Sequence, residues 1–467
     1  MYIKRPASFT DYYELTMAQG YFEAGKHHQS AIFDYFFRTN PFKGGYVIFS
    51  GLKDLLGVLE NFTFNDEELS YLKSEGFSEN FITYLKGFSF RGSVYSVPEG
   101  EVVFPNEPIL RVEGTLIETQ IIETLLLNIL NFQSLIATKA SRIKQAAGDC
   151  KVLDFGLRRS QGLGGIHASR AAMIGGFDGT SNVYAAQEFG IKASGTMAHS
   201  WVQAFDDELS AFRAYSNSFP DDTILLVDTY NTLKSGIPNA IKVAQELKEK
   251  GHNLVGIRLD SGDLAYFSQK ARKMLDDAGF PNVKIAASNQ LDERVITSLK
   301  LQKAEIDIFG VGTRLVTGDQ TPALDGVYKL ASVNGEPKIK ISENVEKITT
   351  PGAKQVFRYT NGEGNFYGDA VVIDGEPSPE KMIHPIFTNK KSLLTDKKMD
   401  AIQKKVMENG NITIPLPSVS QSASYCQQEL SKLTQEYKRF ENPHIYKVGL
   451  SSKLLKLRNE LIKNHQK

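Results

Sequence analysis

The chain has 467 residues, more than one ordinary core needs, which predicts two or three domains. Its 54 Lys and Arg residues balance its 54 Asp and Glu residues. This balance excludes an overall positive electrostatic potential that would attract nucleic acid or an anionic membrane. An anionic ligand would therefore need locally placed basic side chains. The two cysteines, Cys150 and Cys426, exclude a disulfide framework and a cysteine-rich zinc site and fit a reducing compartment.

The sequence shows no targeting or membrane-spanning segment. The first six residues, MYIKRP, contain no apolar run after their charges, so no signal peptide is expected. The most apolar helix, residues 121–130, is interrupted by Glu123 and Asn128 and falls short of the ~20 apolar residues that a membrane span needs. We therefore expect a cytoplasmic protein that binds neither nucleic acid nor a membrane.

Residues 1–138 predict an N-terminal α/β domain. Thr10 or Asp11 is suited to cap an amphipathic helix that carries Leu15 and Ala18 on its apolar face. Asn-Pro and Pro-Glu-Gly sequences predict turns between the later elements. These elements are strands at 31–38 and 46–49, helices at 52–61, 66–75 and 79–86, an antiparallel meander of strands at 93–97, 101–104 and 109–112, and a long helix from Glu118 to about Ala146.

Residues 139–330 predict a barrel-like domain of repeated strand–helix units. Its short apolar segments are typical of parallel strands buried on both faces, and amphipathic helical patterns separate them. A long series of such units implies a parallel barrel. Since six units rather than eight are clear, the sequence predicts an irregular, incomplete TIM-like α/β barrel, with strands near 152–155, 191–194, 223–227, 253–257, 283–286 and 306–309.

Residues 331–467 predict a mixed C-terminal region, part of whose strands pack on the N-terminal domain. Asn-Gly sequences indicate turns between short antiparallel strands. The lysine-rich segment 390–405 is expected to be exposed. The predicted strands lie at 327–332, 337–341, 355–359 and 370–373, and the predicted helices at 427–440 and 452–463.

The candidate functional residues follow the predicted strands of the 139–330 domain. In a parallel barrel the carboxyl ends of all strands converge on one rim, where barrel enzymes hold their chemistry. Arginines, carboxylates, a histidine and glycine turns on one rim predict a site for an anionic, hydroxyl-rich ligand, most simply a sugar phosphate. The segments after the six strands are Gly156-Leu157-Arg158-Arg159, Gly195-Thr196-Met197-Ala198-His199, Asp228-Thr229-Tyr230-Asn231, Arg258-Leu259-Asp260-Ser261-Gly262-Asp263, Ser288-Asn289-Gln290 and Gly310-Val311-Gly312-Thr313-Arg314.

Each candidate also has a purely structural interpretation. Arg158 could be surface charge, although a planar guanidinium on such a loop suits phosphate oxygens. Gly312 belongs to a Gly-x-Gly pattern that often makes only a turn, but whose backbone N–H groups can approach an anion. Arg258 and Asp260 could form an ion pair beside a helix cap, or bind an anion and a hydroxyl of a ligand. His199 could be a satisfied histidine, an acid–base group or a nucleophile.

Together these strings resemble the nicotinate phosphoribosyltransferase family. The resemblance extends from Thr10 to about Lys329 in the family's order and is specific as a set. It rests on Thr10-Asp11-Tyr12-Tyr13, Phe33–Phe37 with Pro41-Phe42, Gly156-Leu157-Arg158-Arg159-Ser160-Gln161-Gly162, Gly175-Gly176-Phe177-Asp178, Gly195-Thr196-Met197-Ala198-His199-Ser200, Arg258-Leu259-Asp260-Ser261-Gly262-Asp263 and Gly310-Val311-Gly312-Thr313.

The resemblance implies a fold, a reaction and partners. The fold is that of the type II phosphoribosyltransferases, an irregular α/β barrel with an N-terminal α/β domain, and the active site is shared between the subunits of a homodimer. The reaction converts nicotinate and 5-phosphoribosyl 1-diphosphate into nicotinate mononucleotide and diphosphate in NAD biosynthesis. It is coupled to ATP hydrolysis, and Mg²⁺ on the diphosphate helps that group to leave.

The resemblance also implies a role for each candidate residue. His199 would be phosphorylated by ATP, and Tyr13 of the neighbouring subunit and Phe155 would sandwich the nicotinate ring. Asp260 would stabilise the positive charge that develops on the ribose. The remaining implied contacts are Thr196 and Arg258 with nicotinate or the adjoining ribosyl phosphate, Arg158 with phosphate, Ser288 and Asn289 with the substrate near the ribose, and Gly312 and Thr313 with the 5-phosphate. The metal ligands are left open.

Base choice and catalysis leave alternatives open. Nicotinate carries a carboxylate, which favours Arg or backbone N–H donors, whereas nicotinamide favours an acceptor such as Asp. Asp178, whose structural alternative is a helix cap, lies in a Gly-Gly-Phe-Asp context that matches the nicotinate branch, as does the Gly-Thr-Met-Ala segment before His199. Tyr13 by default is an aromatic residue on a helix face. The alternatives are a nicotinamide phosphoribosyltransferase and a non-catalytic nucleotide-binding barrel.

Overall fold

The computed structural model describes residues 5–465. Two compact units make up the chain: a discontinuous unit that combines Met1–Thr138 with Ala323–Lys467, and a central unit, Lys139–Pro322. Residues 331–467, expected from the sequence to form a third region, thus share a unit with the N-terminal residues. Residues 1–4, on which the expected absence of a signal peptide partly rests, and residues 466–467 lie outside the described residues.

The N-terminal part of the discontinuous unit contains the predicted helices and strands. The predicted meander is wrong in its pairing. The strand Val102–Val103 pairs with Val47–Ile48, and only Ser93–Ser96 pairs with Leu110–Thr115. The backbone continues this pairing where Phe49 N–H donates to the Glu101 carbonyl at 2.9 Å. The elements are α1 (Tyr12–Glu23), β1 (Ser30–Phe37), β2 (Val47–Ile48), α2 (Leu52–Leu59), α3 (Asp66–Ser74), α4 (Glu79–Lys86), β3 (Ser93–Ser96), β4 (Val102–Val103), β5 (Leu110–Thr115), α5 (Leu116–Ile121) and α6 (Glu123–Ala147).

The long apolar helix predicted from Glu118 is two helices, α5 and α6, which are separated at Ile122. By length and composition alone the segment Leu116–Ala147 could cross a membrane, but 72% of its most apolar 18-residue window is buried inside the protein. Its apolar side chains therefore serve the core. The last part of α6 lies in the central unit, where Lys139 and Arg142 pair with the fully buried Glu293 at 2.8 and 3.0 Å.

The central unit alternates strands and helices. The strands are β6 (Lys151–Asp154), β7 (Gly179–Thr180), β8 (Ile224–Leu226), β9 (Gly256–Leu259), β10 (Lys284–Ser288) and β11 (Ile308–Val311). The helices are α7 (Gly164–Ile174), α8 (Val183–Phe189), α9 (His199–Gln203), α10 (Glu208–Ser218), α11 (Ile237–Glu249), α12 (Leu264–Asp277), α13 (Glu293–Leu301) and α14 (Thr313–Val316).

The six strands of the central unit form one parallel sheet in the order β7-β6-β11-β10-β9-β8. This confirms the predicted parallel α/β architecture. Within residues 5–465 the end strands β7 and β8 do not pair with each other, so the sheet is not a closed eight-stranded barrel. The strand predicted at 191–194 is wrong: only Ala193 makes an isolated bridge, to Thr180, and the true second strand is the two-residue β7.

The C-terminal part of the discontinuous unit adds strands and three helices. These elements are β12 (Gly326–Val333), β13 (Glu336–Pro337), β14 (Lys354–Thr360), β15 (Phe366–Ile373), β16 (Lys381–Ile383), β17 (Lys391–Leu393), β18 (Lys398–Ala401), β19 (Lys404–Glu408), β20 (Asn411–Ile412), α15 (Val419–Lys432), α16 (Gln435–Lys438), β21 (Val448–Leu450) and α17 (Ser452–His465). The lysine-rich segment, predicted only as exposed, contains β17 and β18. They are the two edges of the sheet β17-β16-β21-β15-β14-β18, where lysines protect unpaired backbone groups from other chains.

A seven-stranded sheet joins the two parts of the discontinuous unit. Its order is β13-β12-β1-β5-β3-β19-β20. β1 pairs antiparallel with β5 on one side and with the C-terminal β12 on the other. Its alternate side chains, from Ala31 and Phe33 to Phe37, are buried, as expected for one face of a strand. Strands from both ends of the chain thus share one sheet and one core.

A buried ion network makes a second joint between the same two parts. Arg358 on β14 is almost fully buried, and its guanidinium donates to Asp369 at 2.7 Å and to Glu101 at 2.5 Å. A third carboxyl, Glu107, lies 3.8 Å from the same guanidinium. Burial raises the pKa of Glu107 well above its ordinary value, and the nearby charge of Asp369 adds to this. One arginine thus holds three buried acidic groups, two of them from the N-terminal part.

We expect Arg358→Met to lower the free energy of unfolding by about 3–5 kcal/mol, because the substitution leaves buried acidic groups without their cation. The pKa values of Glu101 and Glu107 are raised by burial, so these groups ionise in the folded state only as the pH rises. The loss of Tm should therefore be larger at pH 8 than at pH 5. Thermal unfolding measured at both pH values tests this.

Arg213→Met is the matched control, because Arg213 makes a comparable ion pair with Glu246, at 2.6 Å, but on the protein surface. Exposed pairs contribute about 0–1 kcal/mol, so its Tm should change little at either pH. Equal losses of Tm for the two variants would contradict the stabilising role of the buried network.

Candidate active site

The turn after β6 is held by a buried carboxylate. Asp154 ends this strand and is fully buried. It accepts hydrogen bonds from the Gly156 N–H at 2.8 Å and from the hydroxyls of Ser169 and Thr180 at 2.7 Å each. Burial raises its pKa, and these hydrogen bonds oppose that effect. Asp154 therefore fixes the carboxyl ends of β6 and β7 relative to each other. The sequence did not indicate this role, because Asp154 lies inside a predicted strand.

His199 lies at the start of α9, where two loops present polar groups to its two ring nitrogens. Nδ1 lies 3.1 Å from the Thr229 hydroxyl. Nε2 lies 3.9 Å from Asp228 Oδ1 and 3.9 Å from Asp260 Oδ2. The side chain is 39% exposed, so a ligand can reach it. The hydroxyl of Thr229 orients the ring, and Nε2 is the nitrogen that faces the carboxylates.

Asp228 is a site residue that the sequence did not single out. Its Oδ2 accepts hydrogen bonds from the Asp260 N–H at 2.8 Å and the Ser261 hydroxyl at 2.7 Å, so it joins the loops after β8 and β9. Its Oδ1 is buried and has no hydrogen-bond partner among residues 5–465. The only signal in the sequence was its place directly after the third predicted strand, in the Asp228–Asn231 string.

Arg258 and Arg158 bring positive charge to the same edge of the sheet. The Arg258 guanidinium donates a hydrogen bond to the Thr196 hydroxyl, while its Nε is buried without a partner in the described part of the chain. Burial lowers the pKa of Arg258, the charges of Asp260 and Asp228 oppose this, and the charge of Arg158 lowers it further. Arg158, exposed on the turn after β6, therefore acts on the same site as Arg258.

The loop after β10 continues the site. The Ser288 hydroxyl donates a hydrogen bond to Asp260 Oδ1. Next along the chain, Asn289 and Gln290 have φ values of 83° and 52°, in the left-handed region that non-glycine residues seldom adopt. Such conformations cost on the order of 1 kcal/mol or more and are often kept at functional sites. The exposed Asn289 is thus presented by a strained turn.

Two glycines at the end of β11 make room for Phe155. A Cβ on Gly310 would lie 2.5 Å from the Phe155 ring, and a Cβ on Gly312 would lie 2.9 Å from the Phe155 carbonyl oxygen. Both distances are too short for any side chain, so glycine at these positions allows Phe155 to lie against β11. Thr313 follows Gly312 and begins the short helix α14.

Two candidates lie elsewhere. Asp178 precedes β7 and accepts hydrogen bonds from the Val152 N–H at 2.8 Å and from Lys144 at 2.9 Å, so it ties together the amino-terminal side of the sheet instead of joining the residues at the carboxyl ends. Ser181, not Asp178, is the residue that follows β7. Tyr13 is on α1 in the discontinuous unit, where its side chain is half exposed.

The other candidates, together with Asp228 and Thr229, form one set at the carboxyl ends of the strands, which we call the carboxyl rim. Asp260 lies 3.9 Å from His199 and accepts a hydrogen bond from Ser288, which pairs with Gly310 between β10 and β11. Arg258 donates a hydrogen bond to Thr196, and the charges of Asp260, Asp228 and Arg158 act on its guanidinium. The members are Phe155, Arg158, Thr196, His199, Asp228, Thr229, Arg258, Asp260, Ser288, Asn289, Gly312 and Thr313.

The carboxyl rim fits a metal ion that arrives with a phosphorylated ligand. Within residues 5–465 no cluster of three or more His, Cys, Asp or Glu side chains is arranged to hold a metal alone. Mg²⁺ commonly binds one or two carboxylates together with substrate phosphates and water. Asp228 Oδ1, which is buried without a hydrogen bond, and Asp260 Oδ2 are oxygen donors of this type.

Comparison with family models covers most of the chain. The model of the nicotinate phosphoribosyltransferase (NAPRTase) family matches residues 150–405. The model of the NAPRTase N-terminal domain matches residues 9–131, and that of the C-terminal domain matches residues 353–458. The C-terminal part of the chain, where the sequence showed no family motif, thus follows the family pattern as well.

Individual relatives agree with the family models. The chain is 49% identical over 453 residues to nicotinate phosphoribosyltransferase of Bacillus subtilis (strain 168), which covers 95% of this chain and 92% of the relative. It is 39% identical over 507 residues to that of Dictyostelium discoideum, covering 95% and 86%. The crystal structure of human nicotinic acid phosphoribosyltransferase matches with a TM-score of 0.87 at 32% identity, covering 97% of this chain and 99% of the human chain. The chain therefore belongs to the nicotinate phosphoribosyltransferase family.

Proposed function

We propose that this enzyme transfers the phosphoribosyl group of 5-phosphoribosyl 1-diphosphate to nicotinate, which forms nicotinate mononucleotide and releases diphosphate in NAD biosynthesis. The observation that carries this proposal is the meeting of His199, Arg258 and Asp260 on the carboxyl rim. Anion-binding, acidic and nucleophilic groups in one place suit a phosphorylated sugar with a leaving diphosphate.

Substrate binding follows from the charges and the space on the rim. Arg158 and Arg258 attract the phosphates, because guanidinium groups pair with phosphate oxygens in a planar, bidentate manner. Backbone N–H groups of the segment that follows β11, near Gly312 and Thr313, bind the 5-phosphate. Asn289, exposed on its strained turn, contacts the ribose beside Ser288.

The reaction is a substitution at C1 of the ribose. The bond between C1 and the diphosphate oxygen breaks, the leaving group keeps the electron pair, and the pyridine nitrogen forms the new bond to C1. Positive charge develops on the ribose, and the Asp260 carboxylate, oriented by Ser288, stabilises it. Phe155 and Tyr13 of a neighbouring subunit hold the nicotinate ring on its two faces, which orients its nitrogen for attack.

Mg²⁺ fits this site beside Asp228 and Asp260, and when bound it supplies positive charge that neutralises the diphosphate. Asp228 is kept in place by the Asp260 N–H and the Ser261 hydroxyl, so its free oxygen points in a fixed direction. Its burial keeps water away from that oxygen.

ATP coupling is assigned to His199. With Nδ1 directed at Thr229, Nε2 is the nitrogen that attacks the terminal phosphorus of ATP, and ADP leaves with the electron pair of the broken P–O bond. A phosphoryl group on Nε2 would lie near two carboxylates, with repulsion on the order of 1–4 kcal/mol for each pair of charges. We infer that this repulsion rearranges the loops or improves substrate binding and that the phosphohistidine takes no part in the covalent transfer.

The remaining features of the proposal concern assembly and location. The enzyme acts as a homodimer in the cytoplasm, and Tyr13 reaches the rim of the neighbouring subunit. The parallel sheet of the central unit curves as an incomplete barrel, the form implied by the family resemblance. The exposure of the Tyr13 ring supports the homodimer, because an exposed aromatic side chain on a helix is available to a second subunit.

We expect His199→Ala to abolish the stimulation by ATP, so that rates of diphosphate release with and without ATP become equal within about twofold. Thr229→Val keeps the imidazole but removes its hydrogen bond, and should reduce the stimulation without abolishing it. Diphosphate release with nicotinate as acceptor measures both variants. Stimulation by ATP that is unchanged in His199→Ala would overturn the role of His199.

Gly310→Ala tests the place of Phe155. The added methyl group would meet the ring at 2.5 Å and displace it. Loss of aromatic stacking worth up to ~1.5 kcal/mol should raise the KM for nicotinate by up to about tenfold. The KM for 5-phosphoribosyl 1-diphosphate should change less. Gly57→Ala, whose Cβ meets nothing within 4 Å, is the control and should leave both constants unchanged.

Base choice is tested with both bases in one assay. We expect nicotinate to be used in preference to nicotinamide by at least about 100-fold in kcat/KM, because the arginine-rich rim favours a carboxylate. Preference for nicotinamide would support the alternative nicotinamide phosphoribosyltransferase. Absence of diphosphate release with either base would indicate a non-catalytic nucleotide-binding protein.

A further inference from the structure

Two loops of the carboxyl rim are joined by an ion pair that the mechanism does not use. The pairing of β10 with β11 ends at Ser288 and Gly310, and beyond these residues the chain leaves the sheet in two loops. Between the loops, Arg314 Nη1 donates a hydrogen bond to Asp292 Oδ2 at 2.5 Å. The Asp292 side chain is fully buried, whereas the Arg314 side chain is 32% exposed. The ion pair therefore connects the loops where strand pairing has ended.

Asp292 is itself held in place within the loop after β10. Its Oδ1 accepts hydrogen bonds from the Arg294 N–H at 3.1 Å and the Val295 N–H at 2.8 Å, which caps the start of α13. Burial raises the pKa of Asp292, but hydrogen bonds from Val295 and Arg314 outweigh this effect, so the pKa lies below its ordinary value. The carboxylate is therefore ionised at neutral pH and pairs with Arg314 as a charge.

The next residue, Glu293, anchors the same end of α13 to α6. It is fully buried and pairs with Lys139 at 2.8 Å and with Arg142 at 3.0 Å. Both of these cations lie on α6, within the central unit that also contains α13 and α14. Asp292 is thus the fixed partner of the ion pair, and Arg314 is the side chain that it holds.

The ion pair lies next to the groups that the proposed function assigns to the sugar phosphate. Arg314 directly follows Thr313, in the segment expected to bind the 5-phosphate. Asp292 lies three residues after Asn289, whose φ of 83° is strained. Strained conformations persist only where the surrounding structure enforces them. Ser288 ends β10 on one side of this turn and Asp292 caps α13 on the other, so the ion pair acts on one end of the strained turn.

We propose that Arg314 is a positioning residue for the phosphoribosyl substrate, and that it acts through Asp292 without touching the substrate. The pair keeps the 5-phosphate-binding segment after β11 at a fixed distance from the ribose-contacting turn at Asn289. The two ends of a ribose 5-phosphate group then meet partners that are already in position. This inference rests on the proposed function, in which these two segments bind the ribose and its 5-phosphate.

Positioning and simple electrostatics predict opposite effects for one of the two residues. A ligand phosphate is attracted by Arg314 and repelled by Asp292, so charge alone predicts tighter binding when the carboxylate is removed. If the pair acts by position, removal of either partner weakens binding. Asp292→Asn is the decisive variant, because asparagine still caps α13 but carries no charge to pair with Arg314.

The test measures the binding of ribose 5-phosphate and of diphosphate to the full-length protein by calorimetric titration in the presence of Mg²⁺. We expect Arg314→Met and Asp292→Asn each to raise the Kd for ribose 5-phosphate about tenfold, as for a lost hydrogen bond to a charged group, and to change the Kd for diphosphate less than about twofold. The variant with both substitutions should lose no more affinity than Arg314→Met alone, because the two residues act as one unit.

Steady-state kinetics give a second measurement. The KM for 5-phosphoribosyl 1-diphosphate should rise in both single variants, while the KM for nicotinate stays at the wild-type value. A purely structural defect would instead lower the fraction of active enzyme, and hence the apparent kcat, without changing either KM.

Arg272→Met is the matched control. Arg272 is also partly buried, pairs with Asp276 at 2.8 Å and donates hydrogen bonds to the Val283 and Phe280 carbonyls at 2.7 and 2.8 Å. It lies before β10, however, and not at the carboxyl end of that strand. This variant should lose Tm, but both of its Kd values should remain those of the wild type.

If Asp292→Asn binds ribose 5-phosphate as tightly as the wild type, or more tightly, the inference is overturned, and this variant decides alone if Arg314→Met does not fold. A wild type that binds no ribose 5-phosphate overturns the inference as well. The proposed function is judged separately, by diphosphate release from the wild type with nicotinate. It fails if no diphosphate is released, even where the affinities for ribose 5-phosphate follow the expected pattern.

Discussion

Parallel strand direction is the constraint on which this molecule depends. Six strands of the central unit run the same way, so the residues that follow them meet at one edge although they are far apart along the chain. The buried side chain of Asp154 fixes part of this edge, because it accepts hydrogen bonds from the turn after β6 and from the end of β7. Without such a fixed edge, Arg158 and Arg258 would not act on the same site.

The edge contains buried polar atoms that have no hydrogen-bond partner within the described residues. Asp228 directs a buried oxygen without a hydrogen bond toward His199, and the Nε of Arg258 is likewise buried without one in the described residues. Buried polar atoms without partners are costly and are seldom kept in a protein core. Both atoms belong to the carboxyl rim, where the side chain of His199 is accessible.

The discontinuous unit joins the N-terminal and C-terminal parts of the chain. Pairing of β1 with β12 provides the shared sheet, and Arg358 binds acidic groups from both parts. A buried arginine with three carboxyls is favourable only if its geometry is maintained. In the same unit, Lys329 of the C-terminal part pairs at 3.3 Å with Glu123, at the start of α6.

Most of the carboxyl rim could be predicted from sequence because the rule for parallel strands is local. An apolar strand followed by Arg158, His199 or Arg258 places that residue at the strand's carboxyl end, whatever the exact bounds of the strand. The family resemblance added roles to these positions and selected nicotinate as the base. The alternation of apolar strands with amphipathic helices also predicted the parallel architecture, which the pairing of the six strands confirms.

What the sequence could not decide depended on contacts between distant residues. Asp178 lies in a glycine-rich segment typical of a ligand-binding loop. It precedes β7, however, and only the observed position of that strand shows this. In the sequence, Asp228 is only one polar residue after a predicted strand. The structure shows that its side chain joins the loops after β8 and β9. The alternation of strands and helices, and hence the single edge for the site, was determined by the sequence itself. The pairing of strands from opposite chain ends and the burial of each charged group were decided by tertiary structure, because solvent exclusion and long-range pairing are not properties of any local segment.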